Sequence, residues 1–219
     1  MWKWILLAVI VIAVIGMAAV TFYVEREAPF GKEALATGSR GKALILYHPS
    51  RDAHFSDDLT LALARGFEDA GFSVERWTMA SDAPGRPEGY DVIAVVSNTF
   101  YMRPDWPTMR YLKRADLGGR PVVAIMAGAG STEAASRKLG EALRRANAGP
   151  TQVRSLWISR PNDPARPGED NRAVAGLIAR QLAKEVGEAA VAREAGKQPD
   201  QAAAFSISQT ILVSMGDRT

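Results

Sequence analysis

Between residues 43 and 159 the chain alternates short apolar runs with amphipathic stretches, and that rhythm constrains its fold more than any other feature. The runs are ALILY at 43–47, FSVERWTM at 72–79, DVIAVVS at 91–97, PVVAIM at 121–126 and QVRSLWIS at 152–159. A strand with one wet face alternates apolar and polar residues, whereas a strand covered on both faces is apolar throughout. The runs at 43, 91 and 121 are of the second kind. Helical patterns lie between them. Leu59, Ala62, Leu63, Gly66, Phe67 and Ala70 recur at spacings of three and four, and Gly71 is a stop. Pro107 suits the first turn of a second helix. A third helix is expected from 132 to about 148. A fourth spans 171–186, with Val174, Leu177, Ile178 and Leu182 on one face. Strands alternating with helices predict an α/β fold: a doubly wound, five-stranded parallel sheet with helices on both faces and right-handed crossovers.

Ahead of this unit, residues 4–24 (WILLAVIVIAVIGMAAVTFYV) carry no charge. At ~1.5 Å per residue they span about 31 Å, the thickness of a bilayer core. Trp2 and Trp4 flank one end, Phe22 and Tyr23 the other, where aromatic rings suit the two interfaces. The expectation is one N-terminal transmembrane helix over residues 1–24, retained as a single-pass anchor in the cell membrane. A cleaved signal peptide is the alternative, with Gly16-Met17-Ala18 as its cleavage site. The apolar run is longer than a signal core and continues beyond that site. Arg26, Lys32, Arg40 and Lys42 follow the helix, against Lys3 before it, so the positive-inside count favours a cytoplasmic domain. Residues 25–41, broken by Pro29, Gly31, Gly38 and Gly41, read as a linker. The α/β domain is expected over 42–187 and a C-terminal extension over 188–219. Within that extension residues 205–215 alternate with a period of two, which suits an extra edge strand or a frayed tail.

Composition removes several chemistries. The 219 residues include no cysteine, so disulfides, cysteine metal sites and thiol catalysis are excluded. His48 and His54 are the only histidines; with Asp52 they could suggest a metal site, but a metal needs three or more ligands with an ordered outer shell and no third histidine exists. A net charge of +3 with interleaved signs gives no nucleic-acid footprint. Gly128-Ala129-Gly130 follows a strand and opens a helix, but Glu133 stands where a dinucleotide fingerprint has its third glycine, so an ordinary turn is the better reading. Ser56 reads as a helix N-cap, since His54 on the same loop is badly placed to act as its base.

In open α/β sheets, ligands bind beyond the carboxyl ends of the strands. The segments LILYHPSRDAHFSDDLTLAL, VIAVVSNTFYMRPDWPTMRYL and VVAIMAGAGSTEAASRKL occupy those ends, and with the strand–helix order they resemble the flavodoxin-like family, near its quinone-reductase branch, from residue 42 to about 186. The resemblance implies bound FMN and electron transfer or flavin-based reduction. It implies a phosphate loop over residues 50–56, with Ser50, Arg51, His54 and Ser56. It implies ring loops over 98–106 and 128–132, with Asn98, Thr99, Phe100, Tyr101 and Trp106 on one and Gly128, Gly130 and Ser131 on the other. A helix N-terminus favours an anion, hydroxyl and guanidinium groups add donors, and aromatic faces suit a flat ring. The first loop departs from the family's T/S-x-T-G-x-T, with His54 in place of the glycine, and Asp57 and Asp58 follow closely. Two functions result. One is a membrane-anchored flavin-dependent electron carrier or oxidoreductase, serving a quinone or a membrane redox protein. The other is a cofactor-free interaction module that docks a membrane partner through the same aromatics.

Overall fold

The computed structural model describes residues 2–49, 54–130 and 132–197. Its first element is α1 (Trp2–Val24), which has no buried residue. It is long and apolar enough to cross a membrane. The rest forms strands β1 (Lys32–Ala36), β2 (Gly41–Tyr47), β3 (Phe72–Thr78), β4 (Val92–Phe100), β5 (Arg103–Pro104), β6 (Val122–Gly128) and β7 (Thr151–Trp157). Helices α2 (Phe55–Asp69), α3 (Trp106–Arg114), α4 (Glu133–Arg145) and α5 (Asn171–Lys197) connect or follow them.

The sheet order is β1-β3-β2-β4-β6-β7, with β5 paired only to the end of β4. Strands β3, β2, β4, β6 and β7 run parallel, as the alternation of strands and helices predicts. The expected total of five is corrected to seven. The first addition lies in the expected linker: β1 pairs antiparallel with β3, Lys32 opposite Trp77. Its sequence, KEALA, gives no strand signal because it is an outer edge with a mostly exposed pattern. The Lys32 ammonium lies 4.2 Å from the centroid of the Trp77 ring, and Glu33 pairs with Arg76. These polar residues blunt an edge that would otherwise offer unpaired backbone. The segment 205–215 lies outside the described residues. Helix α5 runs past the expected boundary at 187, and its Ala190 is buried.

Alternation along the central strands divides the core in two. Ala43, Ile45, Val92, Ala94, Val96, Val123 and Ile125 pack with α2 and α5 on one face. Leu44, Leu46, Ile93, Val95, Val122, Ala124 and Met126 pack with residues of α3 and α4 on the other. Each strand feeds both faces, which is why these runs carry no polar alternation. Helices α2 and α5 approach closely because Gly66 faces the Arg180 carbonyl and α5 presents Ala175, Ala179 and Ala183.

Candidate binding site at the carboxyl edge of the sheet

The chain leaves β2 first to one side, to β3, and later to the other, to β4. Beyond the ends of β2 and β4 lies the topological switch point, the crevice where such sheets take ligands. A cavity of about 350 Å³ occupies this place, within the ~300–1,000 Å³ of small-molecule sites. Its walls include Pro49, Phe55, Thr99, Phe100, Gly128 and Ile158. Gly128 lets the two loop arms approach: a Cβ there would lie 2.9 Å from Thr132 Cγ2 and 3.1 Å from Thr99 Cβ. The Thr99 hydroxyl is buried on the cavity wall and has no hydrogen-bond partner among the described residues. A buried hydroxyl without a partner is costly, so this atom marks where a polar ligand would be rewarded.

The floor of the crevice is a polar knot. Asp105 caps α3, its Oδ1 accepting from Thr108 N at 2.9 Å. Its Oδ2 accepts from Asn98 N at 2.8 Å and lies 3.5 Å from His48 Nδ1, both side chains being 2% exposed. On the other side of the ring, His48 Nε2 lies 3.2 Å from the Arg26 carbonyl oxygen. Both ring nitrogens thus face oxygen atoms, which fixes the plane of the ring. Burial pushes the Asp105 carboxyl up, but the His48 imidazole and the Thr108 hydrogen bonds outweigh it and hold the group below the ordinary carboxylate range. Asn98 donates through Nδ2 to the His48 carbonyl at 2.9 Å. The knot therefore ties the end of β2, the end of β4, the start of α3 and the segment after α1.

That segment continues into the rim. Val24 lines the cavity, and the buried Glu25 bonds to Arg103 at 2.9 Å and accepts from Trp106 N. Glu25 thus places a carboxylate at the positive end of α3. The Arg103 guanidinium lies 4.9 Å from the Trp106 ring centroid. On the opposite rim, Trp157 Nε1 donates to Thr132 Oγ1 at 2.9 Å. Asn162 and Asn171 hold the loop after β7, with the two N–H groups of Asn171 Nδ2 shared among the Trp157, Ile158 and Arg160 carbonyls.

The residues expected at the site divide into several groups. Thr99, Phe100 and Gly128 line the cavity, and so does Asn98, whose amide is spent on the His48 carbonyl. Tyr101 and Trp106 are not among its walls and are 58% and 39% exposed. His54 precedes α2 in a left-handed conformation, φ 62°, with its side chain 86% exposed. Ser56 is fully buried within α2 and Gly130 stands in open space. Ser50, Arg51 and Ser131 lie outside the described residues. The carboxylates that follow the first loop are engaged elsewhere: Asp57 pairs with Arg76 at 3.3 Å and Asp58 with Arg172 at 3.1 Å. Sequence reasoning missed Glu25, Arg103, Asp105 and Ile158. Of these only Asp105 carries a local signal, an Asp directly before Trp-Pro at a helix start.

No protein-family model and no curated protein matches the chain. Solved structures do. An azoreductase from Bacillus anthracis str. Sterne superposes with a TM-score of 0.51 at 10% identity, over 66% of this chain and 99% of that one. A flavodiiron core from Synechocystis sp. PCC6803 gives a TM-score of 0.50 at 15% identity, over 69% of this chain and 36% of that one. A flavodoxin from the domain Archaea is 19% identical over 66% of this chain and 98% of that one, with a TM-score of 0.46. At such identities the likeness is one of fold. Five parallel strands in the order β3-β2-β4-β6-β7, with helices on both faces and the crevice at the switch point, make this a flavodoxin-like fold.

Proposed function

We propose that the crevice binds a flavin, FMN, and that the chain is a membrane-anchored electron carrier or flavin-dependent reductase. The observation that carries this reading is the cavity at the switch point with the unpartnered Thr99 hydroxyl on its wall. The cavity has the mixed character of a cofactor site, apolar at Phe55, Phe100 and Ile158 and polar at Thr99. Thr99 and the backbone of the β4 and β6 ends would hold the edge of the ring, and Phe100 would wall it. The N-terminus of α2, beside Phe55, favours the phosphate. When bound, the flavin supplies transfer of one or two electrons. The chain's own part is to bind and orient it, to exclude water, and to keep the buried His48 and Asp105 side chains fixed beneath it. The anchor is α1, with the domain in the cytoplasm on the excess of Arg26, Lys32, Arg40 and Lys42 over Lys3. The electron partner is a quinone or a membrane redox protein.

A second reading also has an observation behind it. Val24 is itself part of the cavity wall, so the chain's own juxtamembrane segment already covers some of the crevice. That favours a cofactor-free module whose surface docks a membrane partner. The visible absorption of the purified full chain separates the two, together with chromatography of whatever chromophore heat or acid releases. Released FMN supports the first reading. A colourless protein that stays colourless after incubation with FMN supports the second.

The Thr99 hydroxyl gives a sharper expectation. Thr99→Val keeps the shape and removes the polar atom. The flavin-free protein should gain about 1 kcal/mol, because an unsatisfied buried group disappears. Flavin binding should weaken about tenfold, equivalent to ~1.4 kcal/mol. Urea denaturation and FMN titration of the same variant check both signs. A loss of stability without a loss of affinity would mean that the hydroxyl serves the fold.

A further inference from the structure

The turn between β4 and β5 is unusual. Phe100 pairs with Arg103, so Tyr101 and Met102 are the two central residues of a tight hairpin. Both have positive φ, 45° and 56°. Such turns ordinarily take Asn and Gly, because side chains there meet the backbone. This chain instead places two large apolar side chains at the strained positions, and both point to solvent, 58% and 59% exposed. The Tyr101 ring leans on Phe100, centroids 4.4 Å apart. Strain kept at an exposed tip points to a function of the side chains presented there.

The tip is also bound to the end of α1. Arg103, the next residue of the hairpin, holds Glu25, and Trp106 N donates to the same carboxylate. Glu25 directly follows the last residue of α1, whose final turn carries the exposed Phe22 and Tyr23. The half-exposed Trp106 and the exposed Arg26 and Arg110 surround this junction, with the Arg110 guanidinium 5.9 Å from the Trp106 centroid. Tyrosine, tryptophan and arginine are the residues that sit best where hydrocarbon meets headgroups. We propose that the β4–β5 hairpin tip, Tyr101 and Met102, inserts into the interfacial layer of the bilayer that α1 crosses. The proposal rests on the anchor reading above. It fixes the orientation of the domain: the carboxyl edge of the sheet, and with it the crevice, faces the membrane. The site then opens toward lipid-dissolved electron partners instead of the bulk solvent.

The chain has no cysteine, so single labels can be placed without background. The test uses the full chain in phosphatidylcholine nanodiscs, with an environment-sensitive fluorophore on Met102→Cys, Glu88→Cys or Ala13→Cys. Glu88 lies in the exposed loop that enters β4 at the opposite edge of the sheet. Ala13 is at the middle of α1. Lipids carrying a nitroxide just below the headgroup, about 5–10 Å deep, should quench the label at 102 several-fold more than that at 88. Lipids carrying it at the chain end should quench the label at 13. Adding Tyr101→Ser to Met102→Cys should reduce the shallow quenching. Equal, weak quenching at 102 and 88, with 13 still quenched from the bilayer centre, overturns the docking while leaving the anchor intact. Absence of deep quenching at 13 overturns the anchor and the docking together.

Discussion

Asp105→Ala is expected to destabilise the protein by about 3 kcal/mol, the cost of a lost helix cap together with buried polar groups left without their acceptor. Three losses fall on one substitution. His48 keeps a buried ring with no carboxylate beside Nδ1, Asn98 N–H loses its acceptor, and α3 loses its N-cap bond to Thr108. Asp105→Asn keeps an oxygen for Thr108 but turns an amide NH2 toward the Asn98 N–H, so its cost should lie between the alanine variant and the parent. The pH dependence follows from the lowered carboxyl. A group depressed in the folded state contributes fully above its unfolded value, about 4. That contribution is lost as the pH falls through the folded value. The carboxyl's own part of the stability gap between the parent and Asp105→Ala should therefore be present in full above about pH 5 and narrow in acid. Urea midpoints measured across that range check both the size and the slope. A gap under 1 kcal/mol at neutral pH would mean that the knot is not what joins β2, β4 and α3.

Gly66→Val should cost about 3 kcal/mol, at the upper end of the usual range for overpacking. A Cβ at this position would stand 2.1 Å from the Arg180 carbonyl oxygen and 2.8 Å from Ala183 Cβ. Neither is the far end of a flexible side chain, so α5 itself must move. Helix α5 begins at Asn171, which holds the Ile158 wall of the crevice, so ligand affinity should fall with stability. Gly176→Ala is the matched contrast on the same helix pair. Its Cβ would meet Ala62 Cβ at an ordinary 3.8 Å. The variant should gain up to ~1 kcal/mol from helix propensity. Thermal midpoints of the two variants should therefore move in opposite directions. Equal shifts would show that α2 and α5 are looser than the geometry indicates.

Strands β2, β4 and β6 were legible because a strand buried on both faces is written as an uninterrupted apolar run, and β3 and β7 because shorter mixed runs recur between the helical patterns. The edge was not legible: Lys32, Glu33 and Ala34 look like linker because an outer strand needs no apolar pattern to pair. The two-residue β5 has no signal of its own and exists only because β4 folds back on it. At the site, the position of the crevice followed from topology, but the division of labour among rings did not. Phe100, Tyr101 and Trp106 are equivalent as letters. The left-handed turn at 101–102 sends Tyr101 outward, and the bond from Trp106 N to Glu25 places that residue on the rim. Asp105 was readable as a cap, yet its partner His48 is 57 positions away and emerges only when β2 and β4 lie side by side. The contribution of Glu25 was hidden for the same reason, since nothing near it in sequence announces Arg103.

Titration of the full chain in detergent with FMN decides whether the crevice is a flavin site. Flavin fluorescence should be quenched saturably at one equivalent, with affinity in the micromolar range or tighter. Riboflavin should bind more weakly, because it lacks the phosphate that the α2 terminus favours. Gly128→Val, which would drive Thr99 and Thr132 apart at the mouth, should abolish the quenching while leaving the far-ultraviolet circular dichroism unchanged. A flavin site at the switch point gives saturable quenching that Gly128→Val removes. Absence of saturable quenching by a folded protein at high micromolar FMN, or quenching that survives Gly128→Val undiminished, would contradict it.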